Sequence, residues 1–200
     1  MGILLAFAPF IAFAVVDRLG GATEGLVVGA LVAAGLLVRD WMSRDREPKV
    51  LEVGTVLLFG GLALVALVGD PGGGDPGGGD PGGGDPGGSM FGSVFGVRLL
   101  VDAGLLVIVL VSIAIRKPFT LQYAREQVAP DLWNRPEFVR TNYVITGVWA
   151  LAFAVMVVAD YVLLAMPDLP PRVGIIATVL ALVGAIKFTD WYPRRRQAAP

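Results

Sequence analysis

The chain has 200 residues, 55% of them hydrophobic and only 16% charged, with a mean hydropathy of +0.70. A soluble domain carries roughly a quarter charged residues, so this composition points to an integral membrane protein. Cysteine and histidine are absent, which excludes disulfides, thiol nucleophiles, imidazole acid–base chemistry and the usual zinc, haem and copper ligands, so that no cofactor and no metal site is expected.

Six apolar runs can be drawn. The first, Ile3 to Val16, lacks the basic n-region and small-residue cleavage site of a secretory signal and reads as a retained first helix. It and the second run, Leu26 to Val38, are short against the ~20 apolar residues that cross ~30 Å of hydrocarbon. They either span with snorkelling ends or form a re-entrant pair joined through "DRLGGATEG". Gly25, Gly29 and Ala33 on the second run, and Gly60-Gly61 on the third, Val50 to Val68, make rows of small residues. Such rows allow close helix approach, either inside one bundle or between protomers of a homo-oligomer.

After the third run come four copies of a GDPGG unit over residues 69 to 88. Asp-Pro-Gly-Gly favours turns and offers nothing to bury, so residues 69–93 read as a flexible, solvated external linker, natural or engineered. On the fourth run, Val97 to Ile115, Arg98 and Asp102 stand one helical turn apart and can pair near the outer surface.

The polar stretch "RKPFTLQYAREQVAPDLWNRPEFVRTN", residues 116 to 142, is the most varied segment between apolar runs. Pro118 stops the fourth helix, and "FTLQYARE" reads as a short amphipathic element along the headgroups, followed by an irregular turn that re-enters the membrane at Asn142. Arg116, Lys117, Phe119, Tyr123, Arg125 and Trp133 are the residue types that dominate interface energies, and they form the candidate partner-binding surface. On the fifth run, Tyr143 to Met166, residues Thr146, Trp149, Phe153 and Asp160 share with Asn142 an arc of about 60° at 100° per residue. Asp102, Asn142, Trp149 and Asp160 are the candidate solute or ion site, because paired carboxyls inside a membrane mark ion and proton pathways. The sixth run is Val173 to Phe188, and a basic tail occupies 193–200.

Thirteen of the 16 Lys and Arg residues fall on alternate loops, at 39 to 49, 116 to 140 and 187 to 196. By the positive-inside rule those segments and both termini are cytoplasmic. The expected fold is an all-α polytopic transmembrane helix bundle of about six spans. Residues 1–68 give three spans and 69–93 the external linker; 94–192 give three more, with the cytoplasmic loop 116–142. No P-loop, nucleophile elbow or metal spacing occurs, so neither an enzyme nor a nucleic-acid partner is expected.

The order "FAPFIAF", "LLFGGLAL", "RKPF", "LW" and "NYVITGVWALAF", spread over most of residues 5 to 165, resembles the intracellular septation protein A family of bacterial inner-membrane proteins or a related bacterial membrane family. The resemblance implies a multi-pass protein of the bacterial inner membrane, tied to envelope synthesis and septation. It would act through membrane or cytoplasmic protein partners, without enzymatic activity. "FTLQYARE" and the GDPGG loop depart from that pattern. The alternative from the residues themselves is a small-solute or ion transporter using intramembrane carboxyls, and a cavity lined by Asp160 would favour it.

Overall fold

Inside hydrocarbon no water satisfies backbone N–H and C=O groups, so apolar runs of this length must close their hydrogen bonds within themselves. A computed structural model describes residues 5–42, 49–69, 94–166 and 168–197. They fold into helices α1 (Ala8–Leu19), α2 (Ala22–Met42), α3 (Val50–Gly69), α4 (Val94–Ala114), α5 (Phe119–Arg125), α6 (Pro136–Ala165) and α7 (Arg172–Gln197), with no strand among the described residues. Five of these, α2, α3, α4, α6 and α7, are long and apolar enough to cross a membrane. The protein is an all-α helical membrane bundle.

Lengths differ from the apolar runs at several ends. α1 has 12 residues, about 18 Å at 1.5 Å per residue, and is shorter than a full span. α2 has 21, because Glu24 in its first turn and Arg39 in its last complement the helix dipole and let the helix run past its apolar stretch. α6 starts at Pro136, not at Asn142, since proline suits a first helical turn. α7 takes in Pro193 and runs to Gln197, so the first part of the expected tail is helical. The linker at 70–93, and residues 43–48 with Arg44 and Arg46, lie outside the described residues.

The turn between α1 and α2 is Gly20-Gly21, with Gly21 at φ 117°, a conformation that glycine adopts without strain. A Cβ on Gly25 would sit 3.1 Å from both the Phe13 carbonyl oxygen and the Asp17 nitrogen, so the two backbones touch there. Gly29, one turn on, receives the Phe59 ring of α3. Gly60 and Gly61 have no such neighbour: nothing lies within 4 Å of a Cβ built on either, so in this chain they face outward.

The helices then follow one path of neighbours, α1 on α2, α2 on α3, α3 on α4, α4 on α6 and α6 on α7, with α5 tucked against α6. α1 and α7 end that path and share at most marginal contact. One apolar cluster joins α1 to α4 through Phe13, Leu26, Phe59 and Val101. A second joins α4, α5, α6 and α7 through Val109, Phe119, Ile145, Trp149, Phe153 and Ala185. Large side chains such as Leu31, Leu57, Val107, Leu151 and Leu180 point outward, as lipid-facing positions should.

α4 ends in a Schellman motif. The Lys117 N–H donates to the Ser112 carbonyl (2.9 Å) and the Arg116 N–H to that of Ile113 (3.0 Å), with Arg116 in the left-handed region at φ 57°. The Ser112 hydroxyl then accepts the Phe119 N–H at 3.3 Å. This sharp reversal turns α5 back into the bundle, where Phe119, Thr120, Leu121 and Tyr123 are all buried.

Candidate functional site

The stripe read on the fifth run turns inward as a unit: Asn142, Thr146, Trp149, Phe153 and Asp160 are all buried. Its two ends do different things. At one end, the Thr120 hydroxyl donates to the Asn142 carbonyl (2.9 Å) and lies 2.7 Å from the Thr146 hydroxyl, while the Asn142 amide donates to the Phe138 carbonyl (2.9 Å). The two Thr120 bonds fasten α5 to α6, while the Asn142 bond stays within α6. Asn142 borders a separate hollow of about 610 Å³ with Tyr123, Arg135 and Thr189, and is not brought to the carboxyls.

Towards the other end, α1, α4, α6 and α7 leave a cavity of about 810 Å³ between them, within the ~300–1,000 Å³ common for small-ligand sites. Its deep part is aromatic and apolar, with Phe7, Phe10, Trp149, Phe153 and Leu182. Phe7 stacks on Trp149 with centroids 4.9 Å apart, and the Trp149 indole N–H donates to the Thr189 hydroxyl at 3.0 Å, so this floor is rigidly held. Its other part is charged, with Asp17, Arg18, Arg98, Asp102 and Asp160. The topology collects them: α1 and α6 finish where α4 and α7 begin, and each residue lies near one of those ends.

Asp102 does not form the contact ion pair with Arg98 that their spacing allows. Asp102 on α4 and Asp160 on α6 instead line the same cavity wall, together with Asp17, Arg18 and Arg98. Asp17 is the third acid, nine-tenths buried, and its Oδ1 has no hydrogen-bond partner. A buried orphan acceptor is costly unless something satisfies it. Asp17 had no neighbour in the sequence to mark it, because the hairpin at Gly20-Gly21 and the packing of α1 bring it to the cavity.

A second ionic group, also not legible in the sequence, lies where α2, α3 and α5 meet. The Lys49 ammonium reaches Asp40 at 2.7 Å, Glu126 at 2.9 Å and Glu52 at 3.2 Å, and lies 4.9 Å from the Tyr123 ring centroid. Asp40, Lys49, Glu52 and Tyr123 are all buried, and the Tyr123 hydroxyl donates to Glu52 at 3.3 Å. Burial pulls the Lys49 ammonium towards its neutral form, but hydrogen bonds and charge from Asp40, Glu126 and Glu52 outweigh it and hold its pKa above the ordinary 10.5. Burial and the Glu52 charge push the Tyr123 hydroxyl up. Lys49, counted among the loop charges, is thus consumed inside the protein.

The stretch 116 to 142 divides. Phe119 and Tyr123 are 0% and 3% exposed, so two of the aromatic anchors expected on a docking surface are core residues: the Schellman turn folds α5 inward instead of laying it on the headgroups. Trp133 is half-buried, donating its indole N–H to the Arg125 and Val128 carbonyls, with the Arg125 guanidinium 5.6 Å from its ring centroid. Arg116 and Lys117 are exposed.

No family model, curated protein or solved structure matches this chain. Among the described residues no group of acids could hold a metal ion.

Proposed function

We propose that this protein binds a small solute or ion in the cavity around Asp102 and Asp160 and carries it across the bilayer. The observation that supports this reading is that two carboxyls from different helices, Asp102 and Asp160, line one ligand-sized cavity inside a membrane bundle. Asp102 and Asp160 are the binding groups, a proton held there leaves when a cation or donor arrives, and Trp149 and Phe153 form the apolar floor. The test is flux. Proteoliposomes with a trapped pH dye are challenged with a panel of inorganic and organic cations and small polar solutes. Protein-dependent pH change for at least one, lost in Asp160→Asn and Asp102→Asn, is expected; no protein-dependent flux across the panel refutes it.

A second reading, an envelope protein of the bacterial inner membrane working through protein partners in synthesis or septation, draws support from Arg116, Lys117, Arg135 and Arg140. These side chains are exposed in and around the loop that follows α4. Here the charged rim is the contact surface, with Trp133 and Arg125 behind it and Phe119 and Tyr123 holding its shape from inside. Neutralising Arg116, Lys117, Arg135 and Arg140 together abolishes partner recovery on this reading, and unchanged recovery from a folded variant refutes it.

A further inference from the structure

Three features of the cavity restrict what can occupy it. First, its charged residues all lie near one end of the bundle, Asp17 two residues from the end of α1 and Asp160 five from the end of α6, while Trp149 marks the deeper apolar floor. The cavity therefore has a polar head region and an apolar tail region along the direction of the spans. Secondly, α1 and α7 do not pack along each other, and residues on either side of the gap, Ile11 and Val179, are 62% and 51% exposed although both line the cavity. The opening is sideways, towards hydrocarbon, so a ligand entering this way crosses an apolar rim.

Thirdly, the head region carries charged groups of both signs, with Arg18 exposed at its rim. Asp17 Oδ1 is a nine-tenths buried acceptor with no partner. The Arg18 and Arg98 guanidiniums form no contact ion pair among the described residues. A simple cation would leave two guanidiniums unpaired beside it, and a simple anion would face three carboxyls. A head with N–H donors on a positive centre and an anionic oxygen cluster a few ångströms away suits both, because carboxyls accept from ammonium and guanidinium forks bind phosphate.

We propose that the cavity's ligand is a membrane amphiphile with an ammonium group beside a phosphate, the head chemistry of phosphatidylethanolamine, taken sideways from the bilayer between α1 and α7. This rests on the cavity being the working site and goes beyond the small solute or ion of that reading, since the same carboxyls would take the ammonium of a lipid head. The ammonium sits at Asp17 and the Asp102–Asp160 pair, the phosphate at Arg98 and Arg18, and one chain runs down to Trp149.

Trp149 reports on that chain directly. It is 2% exposed, so lipids around the bundle do not reach it, whereas bromine atoms on a chain inside the cavity quench it. The experiment uses the full chain with Trp41, Trp133 and Trp191 changed to Phe, in phosphatidylglycerol liposomes titrated with brominated phosphatidylethanolamine and in the reciprocal pair. A preference of about tenfold for the ethanolamine lipid is expected, corresponding to roughly 1.4 kcal/mol. In Asp17→Asn it falls to about threefold or less, a loss of about 0.7 kcal/mol or more on the same conversion. Arg98→Lys, which keeps the charge but loses the fork, weakens both lipids. Equal quenching by the two lipids overturns the head-group assignment while leaving the cavity reading to the flux test. Absence of quenching by either overturns entry of a chain, again without touching a smaller solute. A preference that survives in folded Asp17→Asn, or binding of both lipids that is undiminished in folded Arg98→Lys, places head recognition elsewhere and overturns the proposal. The comparison on the parent chain needs no charge variant, so a misfolded mutant does not shield it.

Discussion

Replacing Lys49 by Met removes the one ammonium that holds three carboxylates together. Its contacts are unequal in consequence. Glu126 keeps 32% of its side chain exposed and can rehydrate, so its loss costs little. Asp40 is fully buried and keeps Arg39, at 2.8 Å on Oδ1. Glu52 retains the Tyr123 hydroxyl on Oε1, while its Oε2 already lacks a partner. The variant therefore leaves about one buried carboxylate uncompensated, a loss of ~3–5 kcal/mol by analogy with broken buried pairs. Unfolding in mild detergent, followed by circular dichroism against a denaturing detergent, measures it. The triple variant Lys49→Met, Asp40→Asn, Glu52→Gln recovers most of the loss, because charge without a partner is the cause. A loss below ~1 kcal/mol in the single variant would refute the reasoning, since a surface ion pair contributes no more than that.

Three further outcomes follow from the same geometry. Lys49 has a folded pKa above its unfolded value, so its stabilisation is complete below ~10.4 and is lost as pH rises through the folded value; stability measured from pH 7 to 11.5 falls only at the alkaline end, and the fall shrinks in Lys49→Gln. Arg116→Gly relieves the left-handed φ of 57° in the α4 cap and raises stability by ~0.5–1 kcal/mol, where loss of stability would show that the arginine side chain matters more than its backbone. Phe119→Ala costs ~3–5 kcal/mol in the same unfolding assay if the ring is core, and under ~0.5 kcal/mol if it is a surface anchor.

Much of the architecture was readable because a bilayer leaves apolar runs one backbone solution, and the inward stripe from Asn142 to Asp160 followed from helical periodicity alone. What escaped were effects of chain reversal. Phe119 and Tyr123 look like interface aromatics in sequence, and only the Schellman turn at Arg116 and Lys117 sends them into the core. Asp102, Asn142, Trp149 and Asp160 were singled out as one site, of which Asn142 lies elsewhere, and Asp17 reaches the cavity through a glycine turn and a backbone contact at Gly25 that no local pattern encodes. Asp40, Lys49 and Glu52 read as ordinary loop and helix-end charges, because the loop places them near one another but burial against Tyr123 makes them a cluster. Gly60 and Gly61 show the converse, a packing pattern with nothing packed on it.

Function turns on the cavity between α1 and α7, and a cryo-electron-microscopy structure of the full chain in ethanolamine-containing nanodiscs shows whether it is occupied. The expected result is α1 and α7 still apart, Asp102 and Asp160 both lining the cavity, and elongated density running from Asp17 and Arg98 down to Trp149. Ile175 and Val179 packed onto Ile11 and Ala14, with the space between them closed and Asp160 sealed from any ligand, would contradict it.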